Sequence, residues 1–401
     1  MRSAGEQLAG SALEKLLKRA ESAWTRDAPI EASLPFTAAS LSGYFNLPSA
    51  KEKDAAHAAL RNAERNGALA IEWDSRAGDN GQILRLQLQN AEALAQFLGR
   101  DPLWIVHAKA LDALNAWMRY PNVAIILARW RAGKLVRSLG SDRVADFVDA
   151  CRVVDACSAD ATTQDMPIRR LSARLFADSK RVERLGPALD VLTTESMDQP
   201  WRDDVEVFAA LGLVKLPQPV LLAGTGTVEL IDGSVLPIPR PYIGLAPQSI
   251  RAVRVASDAR YLLTIENLTT FHELALGHGG EARGLILYTA GMPSPALLRV
   301  YRFCIEAGIA VPGFRRMHWG DIDLGGFRIA ARLARAGDLP LQPWLMDPAS
   351  IERAIPRKEL AAAEVREIER LAGLLGWSDI AVHVLNTPKA IEQEQIPPSL
   401  P

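Results

Sequence analysis

The chain has 401 residues, 48% hydrophobic and 23% charged, which is enough apolar material for two or three domains rather than one. A formal net charge of −1 excludes a protein that coats nucleic acid by bulk charge, while leaving room for a local basic face. No apolar run approaches the roughly 18 residues of a membrane span, and the start lacks the apolar segment of a secretory signal. Three cysteines (Cys151, Cys157, Cys304) form neither an even framework nor a CxxC pair, so a cytoplasmic protein with reduced thiols and no membrane association is expected.

In chain order, residues 11–25 predict an amphipathic helix, with Leu13, Leu16, Leu17 and Ala20 on one face and Lys15, Lys18 and Arg19 opposite. Ser49 and Glu52 have capping-box spacing and Asn66-Gly67 supplies a left-handed stop, which predicts a helix between them. Leu69, Ile71 and Trp73, then Leu84, Leu86 and Leu88, alternate with polar residues around an Asn80-Gly81 turn signal, as in a two-stranded ribbon. Helix followed by ribbon is the pattern of a winged helix, a module that contacts either DNA or other proteins. Lys51, Lys53, Arg61 and Arg65 lie near the reading helix, diluted by Glu52, Asp54 and Glu64.

Residues 92–200 read as mainly helical, and the basic segment at 168–186 is either a solvated helix face or a phosphate- or dimer-contacting one. Residues 217–255 turn β-like and proline-rich, with an Asp232-Gly233 turn; "GTGTVE" lacks the Lys-Ser/Thr and the helix of a phosphate loop and reads as a β-turn. From residue 258 the strands "RYLLTI", "GLILYTAG" and "FRRMHWGDID" alternate with helices, and "ELAAAEVREIERLAGLLG" is a further helix. That rhythm implies a parallel sheet with covered faces, whose ligands sit at the carboxyl ends of the strands. The proline-rich end, "IPPSLP", reads as frayed or as a short docking tail. The expected organisation is multidomain α+β and α/β: a winged-helix-like unit at 1–100, a helical and β region at 101–255 for dimer or DNA contacts, and a Rossmann-like parallel sheet at 256–401.

Two of those strands end on acids. Glu266 follows "LLTI", and Asp321 and Asp323 follow "MHWG", where alternation along a strand aims both aspartates into one crevice. Gly320 permits close backbone approach and Gly325-Gly326 a sharp turn into the next helix. Two carboxylates about 4 Å apart repel by roughly 1 kcal/mol in water and about 4 at an effective dielectric of 20. A hard divalent cation, Mg²⁺ or Mn²⁺, relieves that repulsion and takes oxygen ligands. His318 reads as a packing or hydrogen-bonding residue. His272, Glu273 and His278 lack the HExxH spacing of a zinc hydrolase.

"IENLTTF", "LYTAGMPS", "HWGDIDLGGFRI" and the upstream "IRRLSARLFADSKRVE" together resemble a known family. The acidic motifs resemble the Toprim domain of topoisomerases, primases and related nucleases, in the version found in the topoisomerase VI A subunit. The four motifs together are similar to the JetD family, nuclease subunits of the SMC-condensin-like Wadjet anti-plasmid systems. The resemblance is dense from about 160 to 330 and thin before 150. It implies a C-terminal Toprim domain in a homodimeric endonuclease acting on double-stranded circular plasmid DNA with SMC and kleisin subunits. It further implies that Asp321 and Asp323 hold Mg²⁺ or Mn²⁺, and that Glu266 serves as general acid/base or metal ligand. Arg299, Arg302, Arg315, Arg316 and Arg328 flank the acids as candidate phosphate contacts. Topoisomerase VI relatives also attack through a tyrosine on a winged helix, but Tyr44 in "SGYFNLP" reads as a packed corner. Hydrolysis by activated water is therefore expected; a transesterase and a non-catalytic winged-helix adaptor are the alternatives.

Overall fold

The computed structural model describes all residues except 1–2, 75–80, 160–164, 279–280, 352–353 and 356–357. The chain divides into two compact units, Met1–Asp149 and Ala150–Pro401. Mixed helix and sheet make up both, and among the described residues no helix is long and apolar enough to cross a membrane.

The first unit opens with α1 (Ala4–Trp24), β1 (Ser33–Pro35), α2 (Ala38–Phe45), α3 (Ala50–Arg65), β2 (Leu69–Trp73) and β3 (Ile83–Leu88). Leu13, Leu16, Leu17 and Ala20 of α1 are buried as their spacing demands. Ser49 caps α3 by accepting from Glu52 N–H at 3.3 Å. The return half of the capping box is not made, because the Glu52 carboxylate accepts instead from Gly5 N–H of α1 at 2.6 Å. The ribbon forms, and β1 adds a third strand in the antiparallel order β1-β3-β2. A bulge shifts the register so that Glu72 faces Arg85 while Trp73 faces Ile83. Ile83, Leu86 and Leu88 therefore point inward, and Leu84, expected in the core, is 42% exposed. The Asn80-Gly81 turn signal falls at the edge of residues outside the described set.

Four further helices follow: α4 (Ala91–Phe97), α5 (Leu103–Leu114), α6 (Pro121–Arg131) and α7 (Val144–Ala159), the last running across the division. They explain why the boundary lies at 149 and not at the expected 100. Arg100 bonds Glu14 and Glu21 of α1, Leu103 N–H donates to Glu21 at 3.1 Å, and the Arg131 guanidinium stacks 3.9 Å over Trp24. These contacts bind α5 and α6 to the first helix.

The second unit begins with β4 (Met166–Pro167), α8 (Ile168–Phe176), α9 (Gly186–Thr193), α10 (Asp204–Ala210) and β5 (Leu213–Val214). The basic segment 168–186 is two pieces, not one helix, since Ala177 takes a left-handed conformation that ends α8. Next come β6 (Val220–Gly224), β7 (Gly226–Leu230), β8 (Val235–Pro237), β9 (Ile243–Leu245) and β10 (Ile250–Val255). "GTGTVE" is the crossing between two sheets rather than a turn: β6 belongs to the large sheet and β7 to a three-stranded antiparallel one. A Cβ on Gly224 would lie 2.1 Å from the Gly284 carbonyl oxygen, so only glycine allows that crossing.

The remainder is β11 (Tyr261–Ile265), α11 (Leu268–His278), β12 (Gly284–Tyr288), α12 (Pro295–Ile309), β13 (Arg315–Trp319), α13 (Leu324–Ala334), β14 (Leu341–Pro343), α14 (Pro348–Ile351), β15 (Lys358–Glu359), α15 (Ala362–Leu375), α16 (Ser378–Asn386) and β16 (Lys389–Ala390). The six-stranded sheet runs β14-β13-β11-β12-β6-β9. Its first three neighbouring pairs are parallel, and β6 and β9 extend it antiparallel. That pairing draws residues 220–245 into the same unit as the C-terminal strands, so no boundary falls at 255. β11 is buried along its whole length, as a central parallel strand must be. Cys151 and Cys304 are buried and all three thiols are free.

Arg328 of α13 ties that helix to α10 through Glu206 at 2.7 Å, with both side chains nearly buried. Its other bonds go to the carbonyls of Pro200 and Trp201. Replacing Arg328 by methionine leaves a buried carboxylate unpaired, and we expect a loss of about 3–5 kcal/mol in denaturant unfolding. The double variant R328M/E206Q is expected to recover part of it. Equal stability of R328M and wild type would show that the ion pair does not join the two helices.

Candidate active site

Residues Ile265 and Trp319 are partners in the β11–β13 pair, so Glu266 and Gly320 leave the sheet side by side. Glu266 N–H donates to the Trp319 carbonyl at 3.1 Å, continuing the ladder one step past both strands. From Gly320, Asp321 N–H donates back to Glu266 Oε2 at 3.2 Å. The glycine is required here. A Cβ on residue 320 would sit 2.6 Å from Glu266 Oε2 and 2.7 Å from His318 Nε2.

The aspartates are not on β13, which stops at Trp319. Their common orientation has another source. Ile322 pairs with Ile391 in an isolated antiparallel bridge and is buried, so its two neighbours turn to the other side by the same alternation. Asp323 is then the N-cap of α13, accepting from Gly326 N–H at 2.9 Å. The helix N-terminus favours its negative charge. A Cβ on Gly326 would meet the Asp321 carbonyl oxygen at 2.1 Å, which fixes the sharp entry into α13.

Each carboxylate thus spends one oxygen on a backbone N–H: Glu266 Oε2 on Asp321, Asp321 Oδ1 on Gln393 at 2.7 Å, and Asp323 Oδ1 on Gly326. Among the described residues the second oxygen of each carries no hydrogen bond. Burial, with Asp321 and Asp323 close by, pushes Glu266 up to about 8. Burial, with Asp323, Glu392 and Glu394 close by, raises Asp321 to about 6 against the hydrogen bond from Gln393. The site is an excess of negative charge with no lysine or arginine to balance it among these causes. Among the described residues no three His, Cys, Asp or Glu side chains stand close enough to enclose a cation by themselves.

His318 packs beneath this floor, fully buried, and burial lowers it to about 3. The Thr264 hydroxyl donates to the Met317 carbonyl at 3.0 Å and so must accept from His318 Nδ1 at 2.9 Å. The ring is neutral, a support under the strand ends as its position suggested. His272 stacks on Tyr242 instead of approaching the acids.

The arginines divide. Arg316 is 2% exposed and donates to the Leu333 and Ala334 carbonyls, so it has no face to offer a phosphate. Arg328 is taken by Glu206, and Arg299 reaches the Pro247 carbonyl. Arg302 and Arg315 remain exposed. Sequence reading also missed part of the site. Gln393, 1% exposed, and its neighbours Glu392 and Glu394 arrive from the far C-terminus, and half-buried Tyr288 ends β12, its hydroxyl's proton affinity raised by burial and by Glu266. Only the run of acids in "IEQEQ" marked that segment, and nothing local tied it to Asp321.

This is an α+β protein with a group of carboxylates at the ends of adjacent parallel strands. Residues 242–399 match the family described as Wadjet protein JetD, C-terminal, and residues 10–193 match that described as an uncharacterized protein conserved in bacteria, N-terminal (DUF3322). The chain is 26% identical over 244 residues to the Wadjet protein JetD of Bacillus cereus (strain Q1), across 58% of this chain and 57% of that relative. Over its C-terminal residues the chain is similar to the JetD family.

The raised proton affinities set the sign of a pH dependence. A group whose pKa rises on folding stabilises fully below its unfolded value, and that stability is lost as pH climbs through the folded one. In chelator, the melting temperature of the second unit is expected to fall as pH rises through about 6 and then about 8, from Asp321 and Glu266 respectively. The E266Q variant should lose the upper part of that fall. Identical profiles for both proteins would reject the crowding of Glu266.

Proposed function

We propose that the chain is a divalent-metal-dependent DNA endonuclease whose C-terminal unit is a Toprim domain. The observation that carries this reading is the convergence of Glu266, Asp321 and Asp323 at the ends of two adjacent parallel strands, each with one oxygen left open. The donor set fits Mg²⁺ or Mn²⁺: it is all oxygen and anionic. The acids as placed do not enclose an ion alone, so water would complete its shell, as Mg²⁺ commonly allows. Asp321 and Asp323 would hold the cation, which would offset charge developing on a phosphate and make bound water more acidic. Glu266, whose raised proton affinity suits exchange near neutral pH, takes a proton from the attacking water. The new P–O bond forms as the bond to the leaving deoxyribose oxygen breaks, and the proton returns to that oxygen.

The similarity of residues 242–399 to the JetD C-terminal family supports a role within a Wadjet system. On that reading the protein works as a homodimer with SMC and kleisin subunits, and cuts double-stranded plasmid circles in the cytoplasm. Tyr44, Tyr261 and Tyr301 give a transesterase little support. Tyr44 is 2% exposed, its hydroxyl is bonded to His57 at 2.8 Å, and burial raises its pKa. Tyr261 and Tyr301 are also buried.

Asp321→Ala is expected to abolish Mn²⁺-dependent cleavage of circular DNA by the assembled complex, with circular dichroism unchanged. The cut ends produced by wild type should carry no attached protein. Undiminished cutting by the variant would reject the site, and protein-bound ends would reject hydrolysis.

A further inference from the structure

We propose that Ala390–Gln395 forms a latch that belongs to the active site, with Gln393 and Asn267 as positioning residues for Asp321. The proposal rests on the nuclease reading above. Four hydrogen-bonded residue pairs fasten this segment to both acid-bearing strand ends. Ile391 and Ile322 exchange two backbone hydrogen bonds, at 2.9 and 3.2 Å, which sets the backbone between the two aspartates. Gln393 N–H donates to Asp321 Oδ1 at 2.7 Å and fixes which oxygen stays open. On the other side, Gln393 Oε1 accepts from Asn267 N–H at 2.9 Å, and Asn267 Nδ2 donates to Glu394 Oε1 at 2.7 Å.

Asn267 therefore works in two directions. Its Oδ1 accepts from Thr270 N–H at 3.1 Å to start α11, while its amide nitrogen and its side-chain NH₂ hold the latch. The residue directly after Glu266 is thereby bonded to the residue that bonds Asp321. One residue, Gln393, bridges the two strand ends, its backbone N–H on Asp321 and its side-chain oxygen on Asn267 N–H, and it is almost wholly buried. A group fixed between two ligand-bearing elements sets their spacing, and loss of such supporting partners typically weakens metal binding or activity by about 10–100-fold.

The test uses the full chain, with Mn²⁺ as calorimetric probe and the partner-loaded protein for cleavage. Gln393→Ala removes the acceptor for Asn267 N–H, and Asn267→Asp sets a carboxylate against Glu394 while keeping the acceptor for Thr270. Each is expected to raise the Mn²⁺ dissociation constant by about tenfold and to lower kcat, with KM for DNA little changed. The swap N267D/E394Q, which restores a donor and an acceptor in exchanged places, should recover most of the Mn²⁺ affinity. Wild-type affinity in N267D and Q393A, or loss without rescue in the swap, would overturn the latch. Absence of Mn²⁺ binding by the wild type would instead overturn the metal reading and the latch with it.

Discussion

The constraint on which the second unit turns is the crowding of like charge where β11 and β13 leave the sheet. Parallel pairing puts Glu266 level with Gly320, one residue before Asp321, and among the described residues no lysine or arginine is a cause of the shift of either carboxyl. Each acid is held in place by a peptide N–H, a weaker partner than a guanidinium and one that leaves an oxygen open. Arginines lie nearby in the fold, yet Arg316 and Arg328 are tied to carbonyls and to Glu206. The protein thus keeps its positive charge off its carboxylates, an arrangement that costs stability and suits a site awaiting an external cation.

That cost is offset by rigidity beneath the site. Glycine at 320 and 326 removes the side-chain atoms that would force the strand ends apart. His318 and Thr264 close a hydrogen-bonded pair under the floor, so strand spacing is set by buried groups that do not titrate near neutral pH. Asp323 is fixed by a helix start rather than by a neighbouring side chain. Open oxygens above and a buried hydrogen-bonded pair below are complementary demands on the same two strand ends.

Much of this was legible in the sequence because its signals are local. A mainly apolar pentapeptide before Glu266, Tyr261–Ile265, marks a central parallel strand, and Asp-x-Asp followed by Gly-Gly marks a tight entry into a helix. Periodicity likewise found α1 and the ribbon, and end signals found α3. The failures have physical causes. Leu84 was misplaced because a bulge slipped the register by one residue, which reverses the face of a side chain. Contacts such as Arg131 on Trp24 and β6 on β12 were not legible because they join residues far apart in the chain. The alternation argument put the aspartates on one side for the wrong reason: the pairing partner is Ile391, not a neighbour within β13.

The arginines carry the same lesson into function. Five were credible phosphate contacts by position, and residue type alone does not separate a guanidinium that caps a helix C-terminus from one that faces solvent. Burial separates them: Arg316 sits under the last carbonyls of α13, where its charge meets the negative end of the helix, whereas Arg302 and Arg315 face outward. If the acids serve a nuclease, as proposed, only two of those five arginines are left facing solvent to meet its substrate. Since phosphate contacts supply much of the affinity for DNA, other groups of the chain, a second copy or partner subunits would then supply much of the grip. On that proposal discrimination of substrate would be a property of the assembly, and the chemistry that of the three acids.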